Sequence, residues 1–192
     1  MGKKQGFAGS PRTGRGILLL LAGTLVPLVG SALSALLAPA AAGAVSLTGY
    51  LLTVAGGALL LPDSLWFVFT VLFSILGMMV DSLPFWYGNV SGEALYVLTA
   101  VVAALCYAAI YMGLDCLLAR VGAPADDRGL GLWWIMLFAM GEVFMFLSMY
   151  VQPRMHVSGL TQLLGTLGAF ACAVCALVFQ VRYLLLTRKR LS

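Results

Sequence analysis

Hydrophobic residues follow one another in six long stretches, separated by short segments that contain proline, glycine or charge. The stretches cover residues 17–37, 44–61, 65–80, 94–119, 131–151 and 158–186. A transmembrane helix needs about 20 predominantly apolar residues. The pattern therefore predicts an all-α fold, a polytopic integral membrane helix bundle with six transmembrane helices.

Composition supports insertion in a lipid bilayer. Hydrophobic residues make up 62% of the chain and charged residues 9%, and the mean hydropathy is +1.03. A soluble domain of 192 residues would need more polar surface than this, whereas lipid accepts an apolar exterior. We expect a basic tail at 1–15, one transmembrane domain at 16–187 and a basic tail at 188–192.

The basic residues predict the orientation. Of the 11 Lys and Arg residues, all except Arg154 lie at the ends of the stretches that would share one membrane face with both termini. Since basic residues accumulate on the cytoplasmic side, both termini are expected to be cytoplasmic. The net charge of +4 is explained by these flanking positions, so nucleic acid is not an expected partner.

The N-terminus allows an alternative. A basic segment, an apolar run and the small residues Ala38, Pro39 and Ala40 are also the pattern of a secretory signal with its cleavage site. Cleavage there would leave five spans with the same later topology. The apolar run continues to Leu37 and proline disfavours cleavage, which favours the uncut helix.

Small and weakly polar residues recur at helical spacing in three spans. They are Gly30, Ser31, Ser34 and Ala35 in the first, Ser46, Gly49, Thr53 and Gly56 in the second, and Thr161, Gly165, Gly168, Cys172 and Cys175 in the sixth. Membrane helices associate through such residues because backbones can approach closely over them. These faces are expected to be interior, or to contact a membrane partner subunit or a second copy of the chain.

Cys172 and Cys175 have the spacing of a redox or metal pair. They lie at bilayer depth without a nearby charge to stabilise a thiolate, and the single His156 is far away in the sequence. We therefore interpret them as packing residues and predict neither a metal nor another cofactor.

Glu142 is the main candidate for function. It lies in the fifth span, eleven residues after Gly131, which is roughly 17 Å along a helix axis. A carboxyl group at that depth is costly and is a functional candidate by default, and the alternative is a hydrogen-bonding contact between helices. Tyr107 in the fourth span is expected at the same depth.

Three more residues extend this candidate ligand or ion pathway. Tyr111 and Asp115 follow Tyr107 on one face of the fourth helix at spacings of four. Asp115 and Arg182 lie at matching distances from the basic ends of their spans, which predicts an ion pair between the fourth and sixth helices. The alternative is that each side chain extends separately to the membrane interface.

A second group of polar and aromatic residues is expected on the outer face. It consists of Asp81, Trp86, Tyr87 and Glu93 in one loop with Arg154 and His156 in another. Aromatic rings beside charged groups favour binding of a small polar ligand. Ordinary interfacial residues would show the same composition.

The sequence contains no paired nucleophile and base, no histidine-rich segment and no arginine-rich catalytic motif, so an enzyme is not expected. In architecture, the chain resembles the membrane-embedded specificity subunits of energy-coupling-factor vitamin importers, which implies binding or transport of a small solute. The alternative is a non-catalytic membrane partner, such as an anchor, an assembly factor or the membrane part of a sensor. The Ala, Gly and Leu content favours a bacterial cytoplasmic membrane.

Overall fold

The computed structural model describes residues 11–33, 39–87, 91–155 and 159–191, and the side chains in these ranges other than those of 28–33, 39–42 and 85. Within these ranges the chain forms helices and no strand. The α-helices are α1 (Pro11–Leu33), α2 (Pro39–Leu60), α3 (Trp66–Trp86), α4 (Gly92–Arg120), α5 (Ala125–Phe146) and α6 (Gly159–Leu191), and one turn of π-helix (Leu147–Val151) continues α5. The predicted all-α fold is confirmed.

Five segments of the described residues are long and apolar enough to cross a membrane. They are Gly43–Leu60, Trp66–Pro84, Gly92–Arg120, Ala125–Val151 and Gly159–Leu191. By the length and composition of these helices, the chain is a multi-pass membrane helix bundle. Several helices extend beyond the predicted boundaries; for example, α3 continues past residue 80, and α5 begins six residues before 131.

Polar contacts join the helix ends at one end of the bundle. Thr13 at the start of α1 donates a hydrogen bond to Asp63 Oδ2 over 3.1 Å, and Arg120 Nη1 at the end of α4 donates to the Asp63 carbonyl over 2.7 Å. Arg190 at the end of α6 pairs with Asp127 at the start of α5, at 2.8 Å. Because most described basic residues lie at this end, we call it the basic face.

The opposite face is joined by other residues. Arg154, after the π-helix, forms an ion pair with Glu93 at the start of α4. The Tyr150 hydroxyl donates to the Gly92 carbonyl over 3.2 Å. The helices that carry these contacts therefore alternate in direction through the bundle.

The small-residue face of α2 packs against α1, as predicted for a packing surface. A Cβ atom added at Gly56 would lie 2.8 Å from Leu20 N and 2.9 Å from Gly16 O. Gly23 of α1 is equally close to Thr53, whose backbone nitrogen would lie 2.6 Å from an added Cβ. The small-residue face of α2 is therefore covered by α1 of the same chain. The stripe predicted at the end of the first span involves side chains outside the described part.

The predicted stripe on α6 is correct for some residues and wrong for one. Gly165 contacts Ser148, and Cys172 lies 3.3 Å from the Cβ position of Gly141. Cys175, by contrast, is exposed on the outside of the bundle. The reason is helical geometry: three residues advance about 300° around the axis, so Cys175 lies beside the buried face rather than in it.

One contiguous hydrophobic core occupies the half of the bundle nearer the basic face. Its largest side chains are Ile17, Leu20, Phe67, Ile110, Leu114, Trp134, Tyr183 and Leu184. Phe67 lies against Gly113, where the absence of a Cβ leaves room for its ring. Trp134 and Ala176 of this core also line a cavity between α4, α5 and α6.

Candidate functional site

The cavity lies between α4, α5 and α6 and has a volume of about 220 Å³. Its walls are largely apolar. The lining residues are Tyr96 and Tyr107 of α4, Trp134, Phe138, Gly141, Glu142 and Met145 of α5, and Ala169, Ala173, Ala176, Leu177 and Gln180 of α6. A smaller cavity, about 150 Å³, is sufficient to bind benzene in a soluble protein. The space is therefore large enough for a small organic molecule.

The local sequence explains why space remains here. Along α6 the lining is mostly alanine, whereas the facing side chains of α4 and α5 are large and aromatic. The Tyr107 ring packs edge-on against Phe138, with centroids 4.8 Å apart, and tilted against Trp134 at 5.2 Å. The rings support one another, and the short α6 side chains leave the volume beside them unfilled.

Glu142 is held at the cavity by Tyr96. The Tyr96 hydroxyl donates a hydrogen bond of 2.6 Å to Glu142 Oε2 and also lies 3.3 Å from the Glu142 carbonyl oxygen. Stacking of the Tyr96 ring on Phe146 and Tyr150 fixes the donor. A hydrogen bond from α4 therefore holds the carboxyl group beside the cavity.

Tyr96 was not among the residues predicted from the sequence, although a signal was present. It precedes Tyr107 by eleven residues, which is close to three helical turns, so the two share one face of α4. Tyr107 was predicted at the depth of Glu142, and the side chains of Tyr107 and Glu142 line the same cavity.

Gln180 supplies a second polar group that sequence reasoning missed. Its side chain is 2% exposed and lines the cavity, and its Nε2 has no hydrogen-bond partner among the described residues. A buried donor left unpaired costs about 1–3 kcal/mol. The only sequence signal was an amide within an otherwise apolar run of the sixth span.

The other predicted pathway residues lie closer to the basic face. Tyr111 does not line the cavity; its ring packs 6.1 Å from that of Tyr183. Both rings lie over Gly131, where an added Cβ would be 2.5 Å from the Tyr111 ring. These tyrosines form a packed layer below the cavity.

The predicted pairing of Asp115 with Arg182 is wrong. Asp115 instead accepts two hydrogen bonds from Arg128, from Nε at 2.6 Å and from Nη2 at 2.8 Å. Arg128 lies one turn inside α5 because that helix begins at Ala125, and Arg182 is exposed. The pair therefore links α4 to α5 instead of α4 to α6.

The predicted outer-face residues do not form one site among the described residues. Asp81 belongs to α3 rather than to a loop, and it accepts a 3.0 Å hydrogen bond from Tyr50 of α2. Glu93 and Arg154 are members of the predicted group that the structure does bring together, as an ion pair. Trp86 and Tyr87 are exposed, at 78% and 66%, and His156 lies outside the described residues.

Metal-type side chains do not gather in the part of the chain that the structure describes: no three His, Cys, Asp or Glu residues are grouped there. Cys172 is buried against α5 and Cys175 faces outward. The polar groups available at the cavity are thus one carboxyl group, two phenols, one amide and the indole of Trp134. These groups can hydrogen-bond and hold charge on an otherwise apolar ligand.

The arrangement separates two polar positions by an apolar wall. On α6, Ala169 and Gln180 are eleven residues apart, about 16 Å along the axis, and Gly141 beside Glu142 contacts the Ala169 end. A ligand in the cavity would meet a carboxyl group toward one end and an amide donor toward the other.

No protein-family model, curated protein or solved structure matches this chain.

Proposed function

We propose that this protein binds a small solute in the cavity between α4, α5 and α6 and takes part in its movement across the membrane, as a transporter or as the solute-binding subunit of one. One observation carries the proposal: Glu142 lines the same apolar cavity as Gln180, whose buried Nε2 has no hydrogen-bond partner among the described residues. An ionisable group in the interior of a membrane-spanning helix, such as the partly buried Glu142, is typical of a substrate or ion site. The proposed role is binding, without chemical change of the solute.

The lining indicates the chemistry of the solute. Glu142 accepts hydrogen bonds and favours a donor, above all a protonated amine. Gln180 Nε2 requires an acceptor, and the aromatic and alanine side chains between them favour an apolar body. The proposed solute is therefore a small amphiphile with an amine-type group.

The proposal includes six spans with both termini cytoplasmic, in a bacterial cytoplasmic membrane. Supporting it, the described basic side chains gather at the basic face, where Arg120 and Arg190 also join helix ends. The lone described exception is Arg154 on the opposite face. Under the positive-inside rule, the basic face is the cytoplasmic one.

Binding of benzylamine, compared with neutral benzyl alcohol, tests the function. We expect benzylamine to raise the melting temperature of the purified protein in detergent and to change the fluorescence of Trp134, which lines the cavity. The variant Glu142→Gln keeps the size of the side chain and loses its charge. Since a hydrogen bond to a charged group contributes about 1.5–3 kcal/mol, affinity should fall roughly 10- to 150-fold.

Glu93→Gln is the matched control, because Glu93 is paired with Arg154 away from the cavity. It should bind benzylamine as the unmodified protein does. Because the chain has four tryptophans, Trp134→Phe should remove most of the fluorescence change that accompanies binding, not most of the total fluorescence. Equal affinity of the Glu142→Gln variant and the unmodified protein would refute a binding role for the carboxylate and leave it a helix-packing contact.

A further inference from the structure

One side of α6 continues from the cavity to the opposite face of the bundle. Gln162, Thr166 and Ala173 follow one another at spacings of four and seven, so they share that side of the helix, which we call the polar side of α6. All three residues are exposed, and Ala173 also lines the cavity. Since α6 begins at Gly159, Ala173 lies about 21 Å along the axis from the start of the helix.

The outward side of α6 has a different composition. Its exposed residues in the same stretch are large and apolar: Leu163, Leu167, Phe170, Val174 and Val178. Lipid accepts such side chains, whereas exposed amide and hydroxyl groups require hydrogen-bond partners that lipid does not supply. The composition of the polar side therefore suits contact with water, and that of the outward side suits contact with lipid.

Contacts between helices close the cavity on two other sides. Between α5 and α6, the Cβ position of Gly141 lies 3.3 Å from Cys172. Between α4 and α5, Tyr96 bonds to Glu142, and Tyr150 donates to the first residue of α4 nearer the opposite face. Access to the cavity is therefore left on the side of α6 that faces away from α5, where Ala173 is exposed.

Aromatic rings close the cavity toward the basic face. Trp134 forms part of the cavity wall, and its ring lies 6.4 Å from that of Tyr183, which in turn lies 6.1 Å from the ring of Tyr111. Trp134 is 1% exposed and Tyr183 is 0% exposed. Rings packed in this way leave no space for water between them, so this layer separates the cavity from the basic face.

The polar side of α6 carries hydrogen-bond acceptors. Thr166 donates its hydroxyl hydrogen to the Gln162 carbonyl over 3.0 Å, so its oxygen can only accept from a solute. Gln162 Nε2 donates to the Ser148 carbonyl over 3.4 Å, and its side-chain oxygen is a second acceptor. These groups favour a hydrogen-bond donor, as the Glu142 carboxylate does deeper in the bundle.

We propose that the solute enters the cavity from the opposite face, along Gln162, Thr166 and Ala173 on the polar side of α6. The route ends at Gln180, which is seven residues after Ala173 on the same side of the helix and has a buried Nε2 without a partner among the described residues. The structure is then the state that accepts solute from the opposite face while the basic face is closed. The proposal rests on the proposed function, because it treats the cavity as the solute site.

Single cysteines test the route. Thr166→Cys and Ala173→Cys, each in a background whose four native cysteines are replaced by serine, are compared with Val178→Cys on the outward side, which is 59% exposed. A charged methanethiosulfonate reagent is added on the side of the membrane where Glu93→Cys reacts, because Glu93 lies at the start of α4 at the opposite face. Melting temperatures establish that each variant is folded.

We expect Thr166→Cys and Ala173→Cys to react roughly tenfold or more faster than Val178→Cys, because the reactive thiolate forms in water and not in lipid. Benzylamine should slow the reaction of Ala173→Cys, which lines the cavity. Reagent added on the side of the basic face should leave Ala173→Cys unmodified.

Each result decides the proposal. Reaction of Ala173→Cys no faster than that of Val178→Cys, or only from the basic face, would overturn it. Fast reaction that benzylamine does not slow, in a protein that binds benzylamine, would also overturn it. Fast reaction from the opposite face in a protein that does not bind benzylamine would uphold the route and refute the proposed function, so the two failures are distinguishable.

Discussion

The contact between α1 and α2 allows a substitution whose cost follows from measured distances. In Gly56→Ala, the new methyl group would lie 2.8 Å from Leu20 N and 2.9 Å from Gly16 O. Both are backbone atoms within a helix and cannot rotate away, so α1 must move as a unit or the contact must separate. Overpacking of this kind costs about 1–3 kcal/mol.

Gly43→Ala is the matched control, because it lies in the same helix and its Cβ position has no atom within 4 Å. Both substitutions replace glycine by alanine in α2, so the gain in helix propensity, about 1 kcal/mol, cancels in the comparison. The free energies of unfolding of the two variants should therefore differ by the overpacking cost alone. That is a roughly 5- to 150-fold difference in the unfolding equilibrium.

The measurement is reversible unfolding in mixed micelles of increasing dodecyl sulfate content, followed by circular dichroism. We expect Gly56→Ala to unfold at a lower dodecyl sulfate fraction than Gly43→Ala and the unmodified protein. If Gly56→Ala is as stable as Gly43→Ala, the close backbone approach of α1 and α2 is refuted.

Two further predictions concern charge and orientation. Arg128→Ala removes a partly exposed bidentate ion pair with Asp115 and should lower the free energy of unfolding slightly, whereas Arg182→Ala should leave it unchanged within error. Equal losses in the two variants would contradict the assigned pairing. For orientation, an impermeant thiol reagent applied to intact cells should label Asn89→Cys or His156→Cys, but neither Pro124→Cys nor Ser192→Cys. Labelling of Ser192→Cys from outside would reverse the proposed topology.

Sequence periodicity predicted the helices well because apolar length is a strong signal in membrane proteins. It predicted their ends less well. Asp81 was expected in a loop, yet the helix continues through it, since Tyr50 of the neighbouring helix satisfies its carboxylate. A charged residue marks the end of an apolar pattern without ending the hydrogen-bonded helix.

The wrong prediction of an Asp115–Arg182 pair shows that depth along a helix does not determine which way a side chain points. Arg182 was selected by its distance from the basic end, which fixes height but not direction around the axis. Its neighbour Tyr183 is fully buried, so Arg182, about 100° further around, is turned away from the bundle. Arg128 could be assigned as the partner of Asp115 only from the structure, in which α5 begins at Ala125.

The candidate site was predictable only in part for the same reason. Glu142 is conspicuous because an acid is rare at such depth. Tyr96 and Gln180 are not conspicuous, because a tyrosine near a span end and a single amide are ordinary in composition. What makes them notable is that three helices bring them to one cavity, and that is a tertiary property.

The position of the hydrophobic core has a mechanical consequence. Large interlocked side chains fill the half nearer the basic face, and Asp63 and Asp127 bind helix ends there, whereas the cavity extends from Trp134 and Ala176 of this core toward Glu142. Resistance to deformation depends on the density of buried contacts, so the bundle is stiffer at one end than at the other. We therefore expect a change in the width of the cavity to be taken up by tilting of α5 and α6 about their ends at the basic face, which would strain the contacts of Tyr150 and Arg154 with the start of α4.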